Sequence, residues 1–150
     1  MTTTTSTTST TSATSATSAT STTTTSDVGA VRAVLQEIYA AWSAGDADAF
    51  AALYTEDATV TMRGVVQRGR AAVRDHMAAG FAGPLRGSQG VDTPQDVRID
   101  GDTAIVVSRA GILFAGETEL PADRAVLATW VLLRRDGRWR IAAYANTPAL

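Results

Sequence analysis

The 150-residue sequence has no cysteine, a single histidine, and three each of tryptophan, tyrosine and phenylalanine. Without cysteine there are no disulfides, thiolate metal sites or thiol nucleophiles, and the protein is indifferent to redox state. Glu56, Glu117, Glu119 and Asp123 offer carboxylates, but with one histidine no ligand spacing stands out, so no metal is expected. Lysine is also missing: all 13 basic residues are arginine, set against 15 acidic ones for a net charge of −2. No run of like charges occurs, which removes the electrostatic footprint of a nucleic-acid binder. The longest apolar runs fall far short of a membrane span. No Gly-rich phosphate loop or dinucleotide fingerprint follows any strand, so neither nicotinamide, flavin nor any other cofactor is expected.

What is there divides sharply in two. Residues 1–26 are almost pure Thr, Ser and Ala and carry too little apolar surface to offset the entropy of ordering, so they read as a disordered leader. That stretch lacks the basic start and apolar run of a signal peptide and the arginines of a transit peptide, which leaves the cytoplasm as the expected location. Residues 27–150 are long enough for one domain with a sizeable core.

From Ser26 onward Val28, Val31, Leu35, Ile38 and Trp42 recur at three- and four-residue steps, predicting an amphipathic helix with Ser26 or Asp27 as N-cap. Gly45 ends it, and Asp46 caps a second, shorter helix over Ala47 to Tyr54. Thr59 to Met62 reads as a strand. Arg70 to Phe81 reads as a third helix, entered from Gly69, with Val73, Met77 and Phe81 inward. The second half changes period: Val97 to Ile99, Thr103 to Phe114, Ala125 to Arg135 and Arg138 to Asn146 are β-branched or alternating runs. Asp100-Gly101-Asp102 and Asp136-Gly137 punctuate them as hairpin turns. Helices followed by a meander predict an α+β fold. Ala125 to Leu133 is apolar on both faces, so one face meets the helices and the other is expected to be covered by a second subunit.

Several of these pieces recur in one order: helix, Gly45-Asp46, short helix, Leu53-Tyr54-Thr55-Glu56-Asp57-Ala58-Thr59-Val60, then Gly69-Arg70 opening a helix, then Asp136-Gly137-Arg138-Trp139-Arg140-Ile141. In that order the sequence resembles the SnoaL-like branch of the nuclear transport factor 2-like superfamily over nearly all of residues 27–148. The closing Ala143-Tyr144-Ala145-Asn146-Thr147 is similar to the SgcJ/EcaC group, a resemblance that implies a place in an enediyne antibiotic cluster, while basic residues that are all arginine, with the Ala, Gly and Val richness, suggest a GC-rich genome such as an actinomycete's. The resemblance implies a cone-shaped, barrel-like cystatin-like fold. Three helices would pack on a strongly bent antiparallel sheet around a deep pocket, commonly in a homodimer. It does not imply a reaction, because the superfamily hosts isomerases, cyclases, dehydratases, association modules and plain binders.

Laid on the ketosteroid isomerase branch, the sequence has Met62 in place of the carboxylate base and Ile38 in place of the oxyanion-hole tyrosine. The second acid falls near Thr129 or Trp130, so that proton-abstraction set is absent. Where SnoaL-type cyclases carry an acid on the last strand, this chain has Asn146, an amide that can orient a carbonyl but cannot take a proton. The positions expected to point inward are Ile38 and Trp42 from the first helix, Tyr54 from the second, His76 and Met77 from the third, and Met62, Thr129 or Trp130, Tyr144 and Asn146 from strands. Tyr144 and Asn146 share a face by period two. Tyr144 can donate to a carbonyl or enolate oxygen, and His76 is the one side chain here whose ordinary pKa, about 6.5, suits proton transfer near neutrality. Their plainer roles are a barrel aromatic and a rim histidine. Tyr54 and Trp42 equally serve as core. Arg109, inside an apolar strand, should reach an acid, a rim or a partner chain.

An aromatic, apolar pocket with a few hydrogen-bonding groups suits a hydrophobic small molecule, and the resemblance makes it polyketide-derived. Three readings compete. The pocket folds or cyclises a polyene or polyketide intermediate, with Tyr144, Asn146 and His76 as the working groups; it carries and shields such an intermediate without catalysis; or the domain is a dimeric assembly module.

Overall fold

Val31, Val34, Leu35, Ile38 and Ala41 lie on one stripe of the first helix, and all five are buried. The computed structural model describes residues 15–150, with side chains from Thr25 onward, and this helix, α1, spans Ser15–Ala44. It therefore begins inside the stretch expected to be a leader, of which residues 1–14 lie outside the described residues. Adding a residue to an existing helix fixes one set of dihedrals for one hydrogen bond, so a packed segment propagates helix outward at little cost. Ser26 and Asp27 consequently sit within α1 instead of capping it. The Asp27 carboxylate pairs with Arg134 at 2.7 Å and ties the helix to the sheet.

After Gly45, the Asp46 side chain accepts a hydrogen bond from the Ala49 N–H at 2.9 Å and caps α2, Ala47–Ala52. β1 (Tyr54–Met62) and the short β2 (Val65–Arg68) lead to α3 (Arg70–Ala82), which buries Val73 and Met77. Four long strands follow: β3 (Gln89–Asp100), β4 (Thr103–Leu113), β5 (Val126–Arg135) and β6 (Arg138–Pro148). They form one six-stranded sheet in the order β2-β1-β6-β5-β4-β3. The meander from β3 to β6 is antiparallel throughout. At its last turn Asp136 and Gly137 both take positive φ, 53° and 73°, as the favoured two-residue hairpin turn requires. β1 joins β6 in parallel, a departure from the all-antiparallel sheet expected.

Register shifts interrupt the ladders at Tyr54/Thr59, Pro94/Asp96 and Val131/Leu132. Bulges of this kind bend and twist a strand, which lets the sheet curl around the helices. At one end of the concave face Ala104, Val106, Leu132 and Ile141 close tightly on Val31, Leu35 and Ile38. Toward the other end the same strands carry Ala110, Val126 and Trp130, and the space between sheet and helices is open. Among the described residues nothing buries Leu127 on the opposite face of the sheet, where it is 38% exposed.

Candidate functional site

The opening at the wide end is a cavity of about 680 Å³. Its walls come from every layer of the fold: Ile38, Tyr39 and Trp42 of α1, Phe50 of α2, Tyr54, Val60 and Met62 of β1, and Val73, His76 and Met77 of α3. β4, β5 and β6 add Ala110, Ile112, Val126, Trp130, Tyr144 and Asn146. Aromatic rings brace one another around it. Trp42 stands edge-on to Phe50 and Phe81, with centroids 6.0 and 5.9 Å apart, and Trp130 lies 4.4 Å from Tyr144. Among the lining residues there is no carboxylate, and the one fixed charge is Arg124.

Besides Gln67, His76 and Arg124, polar groups meet this wall in two clusters. In the first, the Asn146 amide donates to the Tyr144 hydroxyl oxygen at 2.8 Å, leaving the phenolic proton free to be donated to a ligand. Burial pushes the Tyr144 pKa upward, with Asp92 adding to the effect, so Tyr144 is a neutral donor and not a base. Tyr54 is 2% exposed and its pKa is raised still more strongly by burial, so it too stays neutral.

The second cluster lies beneath the wall. The Tyr39 hydroxyl donates to Asp92 Oδ2 at 2.9 Å. Ser108 and Trp130 also favour the Asp92 carboxylate electrostatically, yet neither reaches hydrogen-bond geometry, and Asp92 Oδ1, Ser108 Oγ and Trp130 Nε1 are left buried without partners. Desolvation outweighs the three donors, so the Asp92 pKa is raised. Tyr39 also borders a shallower groove with Arg32, Gln36 and Asp92, so its ring separates the main cavity from that groove.

The SnoaL-like domain profile matches residues 23–145, most of the chain and every lining residue of this cavity except Asn146. The chain belongs to the SnoaL-like family. No curated protein matches the sequence. Among solved structures, a domain of unknown function with a cystatin-like fold from Nostoc punctiforme is 26% identical, with a TM-score of 0.77 over 84% of this chain and 79% of that one. An NTF2-like protein with a cystatin-like fold from Novosphingobium aromaticivorans is 22% identical, with a TM-score of 0.77 over 87% of each chain. A protein from the same organism, provisionally named a scytalone dehydratase, is 16% identical, with a TM-score of 0.72 over 87% of this chain and 89% of that one. These likenesses establish the cystatin-like α+β fold.

Against that frame the expected inward positions divide cleanly. Ile38, Trp42, Tyr54, Met62, Met77, Trp130, Tyr144 and Asn146 all line the SnoaL-like cavity, and His76 lines it from an exposed position. Thr129 does not: it is exposed on the outer face, because alternation along β5 gives the inner face to Ala128, Trp130 and Leu132. Arg109 is likewise exposed on the outer side of β4, so it needs no buried acid. Tyr39, Asp92 and Arg124 were not singled out by sequence. Tyr39 carried a signal, since it falls four residues after Leu35 and three before Trp42 on the α1 stripe. Asp92 and Arg124, in an edge strand and a loop, carried none.

The raised Asp92 pKa makes a pH prediction. The native carboxyl holds its proton more tightly than the unfolded one, so its contribution to stability is complete below the ordinary carboxylate range and is lost as pH rises through the raised value. Asp92→Asn removes that loss. Thermal melts at about pH 4 and about pH 7 should show the variant gaining stability relative to wild type as pH rises. A wild-type-minus-variant difference independent of pH would contradict a strained carboxylate at this position.

Proposed function

We propose that this chain binds a largely apolar, oxygen-bearing carbon skeleton in its cone and assists the folding, cyclisation or tailoring of that molecule by holding it in one geometry. The observation that carries the reading is the conjunction of an aromatic cavity of about 680 Å³ with a Tyr144 hydroxyl whose oxygen is already engaged by Asn146 and whose proton is free. Cavities of this size and make-up suit a flat or elongated ligand, with a few placed donors fixing its orientation. A neutral phenol fixes a ketone or enolate oxygen, and fixing two ends of a flexible chain near one another is itself a large rate effect. A polyketide is the ligand class that combines such a skeleton with regularly spaced oxygens. The resemblance of Ala143 to Thr147 to the SgcJ/EcaC group makes a polyene intermediate of enediyne type the first candidate within that class.

The second reading is a non-catalytic carrier that shields a reactive intermediate from water. It is favoured by two observations, the lack of any carboxylate among the lining residues and the exposed placement of His76. Ile105, Val107, Val131 and Leu133 are only partly buried on the outer sheet face, and we read that face as the seat of a second copy of the chain.

Trp42 and Trp130 in the wall make binding observable by intrinsic fluorescence. Titration with emodin, a hydroxylated anthraquinone, should quench both in a saturable way. Tyr144→Phe and Asn146→Ala should each weaken binding about five- to tenfold, the worth of one hydrogen bond to a buried oxygen. Saturable binding that ignores both substitutions would remove Tyr144 and Asn146 from the site, and absence of saturable binding would remove the pocket reading.

A further inference from the structure

We infer that Arg124 gives the pocket an anion-binding end, so that the preferred ligand is an elongated hydrophobic carboxylate. The inference rests on the pocket reading above and names the class of molecule it takes. Arg124 closes a short 3₁₀ turn, Ala122–Arg124, immediately before β5, and it is the one fixed charge in a wall otherwise built from apolar and neutral polar side chains. With no acid in the wall, a cation at one end of the cavity selects for a single negative charge on the occupant.

The guanidinium is held ready for that task. It lies over the ring of Phe114, 4.9 Å from the centroid, and Phe114 is itself part of the wall. One terminal nitrogen donates to Glu117 Oε1 at 2.6 Å and the other to the Ile112 carbonyl at 3.4 Å. Glu117 in turn uses its second oxygen to accept the Phe114 N–H at 2.8 Å. Both carboxylate oxygens of Glu117 are therefore spent on organising the loop. Of the five N–H donors of an arginine, those two contacts occupy two, and a planar fork fixed on a ring loses little entropy on meeting a carboxylate.

The other end of the ligand follows from the strand register. Tyr144 lies opposite Trp130 on β5, six residues along the chain from Arg124. From Ala125, where the backbone leaves the 3₁₀ turn and becomes extended, to Trp130 is roughly 16 Å at about 3.3 Å per residue. A molecule held by Arg124 at one end and by the Tyr144 hydroxyl at the other is long, apolar in the middle and acidic at one terminus.

Two fluorescent probes separate this inference from the reading beneath it: cis-parinaric acid, a linear polyene carboxylate, and its methyl ester, with the same skeleton and no charge. Titrated against the full chain, the acid should bind about tenfold more weakly to Arg124→Gln than to wild type, while the ester changes less than twofold. Glu117→Gln should keep or tighten acid binding, because it removes the competing carboxylate and leaves the cation. If Arg124→Gln weakens acid and ester alike, or Glu117→Gln mimics it, the loop merely supports the wall and the anion site is wrong. If both probes bind wild type and neither responds to Arg124→Gln, the anion site is wrong and the pocket stands. If neither probe binds wild type, the pocket reading falls and takes the anion site with it.

Discussion

Leu132→Ala is expected to lower the stability of the domain by about 3 kcal/mol, whereas Met62→Ala costs about 1 kcal/mol or less, although both remove a large apolar side chain from the concave face. Leu132 is completely buried and is flanked in the sheet by Ala104 on β4 and Ile141 on β6, also completely buried. Its removal forfeits the transfer free energy and leaves a void that the two neighbouring strands cannot close. Met62 is only partly buried and borders the cavity, so one side of it already has no partner atoms to lose. In a domain of this size the first change lowers Tm by roughly 10–15 °C and the second by a few degrees. Thermal denaturation followed by circular dichroism measures both. Equal losses would mean that the wide end of the cone is as tightly packed as the narrow end, and the cavity would no longer exist as a binding volume.

The contrast between those two ends also separates what the sequence made legible from what it hid. The narrow end is a matter of periodicity. Val31, Leu35 and Ile38 repeat at helical spacing, Leu132 and Ile141 sit in β-branched runs, and Asp136-Gly137 marks the turn between them, so helices, meander and fold class follow from pattern alone. The wide end is harder because it breaks pattern. β3 was legible only at Val97 to Ile99, since its first half, Gln89 to Asp96, contains Gly90, Asp92, Pro94 and Gln95 and carries no apolar alternation. It can be polar because it is an edge strand, and Pro94 stands at the register shift before Asp96, where the ladder to β4 is interrupted. With that strand unseen, Asp92 had no visible place beside Tyr39. The choice between Thr129 and Trp130 stayed open in the sequence for a different reason. β5 is apolar on both faces, so composition offers no inside, and only the register against Val106 and Tyr144 assigns Trp130 to the cavity. Arg124 is further still from any pattern, because its placement depends on a loop that Glu117 folds back on itself.

Gly90→Ala should cost about 2–6 kcal/mol, far more than an alanine on an edge strand ordinarily would, and Tyr39→Ala in the same chain should abolish that extra cost. A Cβ at Gly90 would stand well inside van der Waals contact with two ring carbons of Tyr39, with Trp42 next at 3.6 Å. A tyrosine ring anchored at both ends cannot give way as the tip of a flexible side chain does. Its hydroxyl is bonded to Asp92 at 2.9 Å, and its edge packs on Trp130 with centroids 6.2 Å apart. Displacing the ring breaks the one hydrogen bond that the Asp92 carboxylate has and leaves a half-buried acid with Oδ1 already unpartnered. The cost therefore has two parts, overpacking of about 1–3 kcal/mol and a stranded acceptor of about 1–3 kcal/mol. Because both parts pass through the Tyr39 ring, they are not additive with its removal. The double variant should be no less stable than Tyr39→Ala alone, a coupling of 2 kcal/mol or more of the kind seen between groups in direct contact. Tyr39→Phe gives the control: it keeps the ring and so keeps the clash, losing only the donor. Additive losses in the double variant would show that Gly90 is required by the β3 backbone and not by the tyrosine. Coupled losses would make the Gly90 cradle the device that presses Tyr39 against Trp130 and thereby sets the wall from which Tyr144 presents its proton.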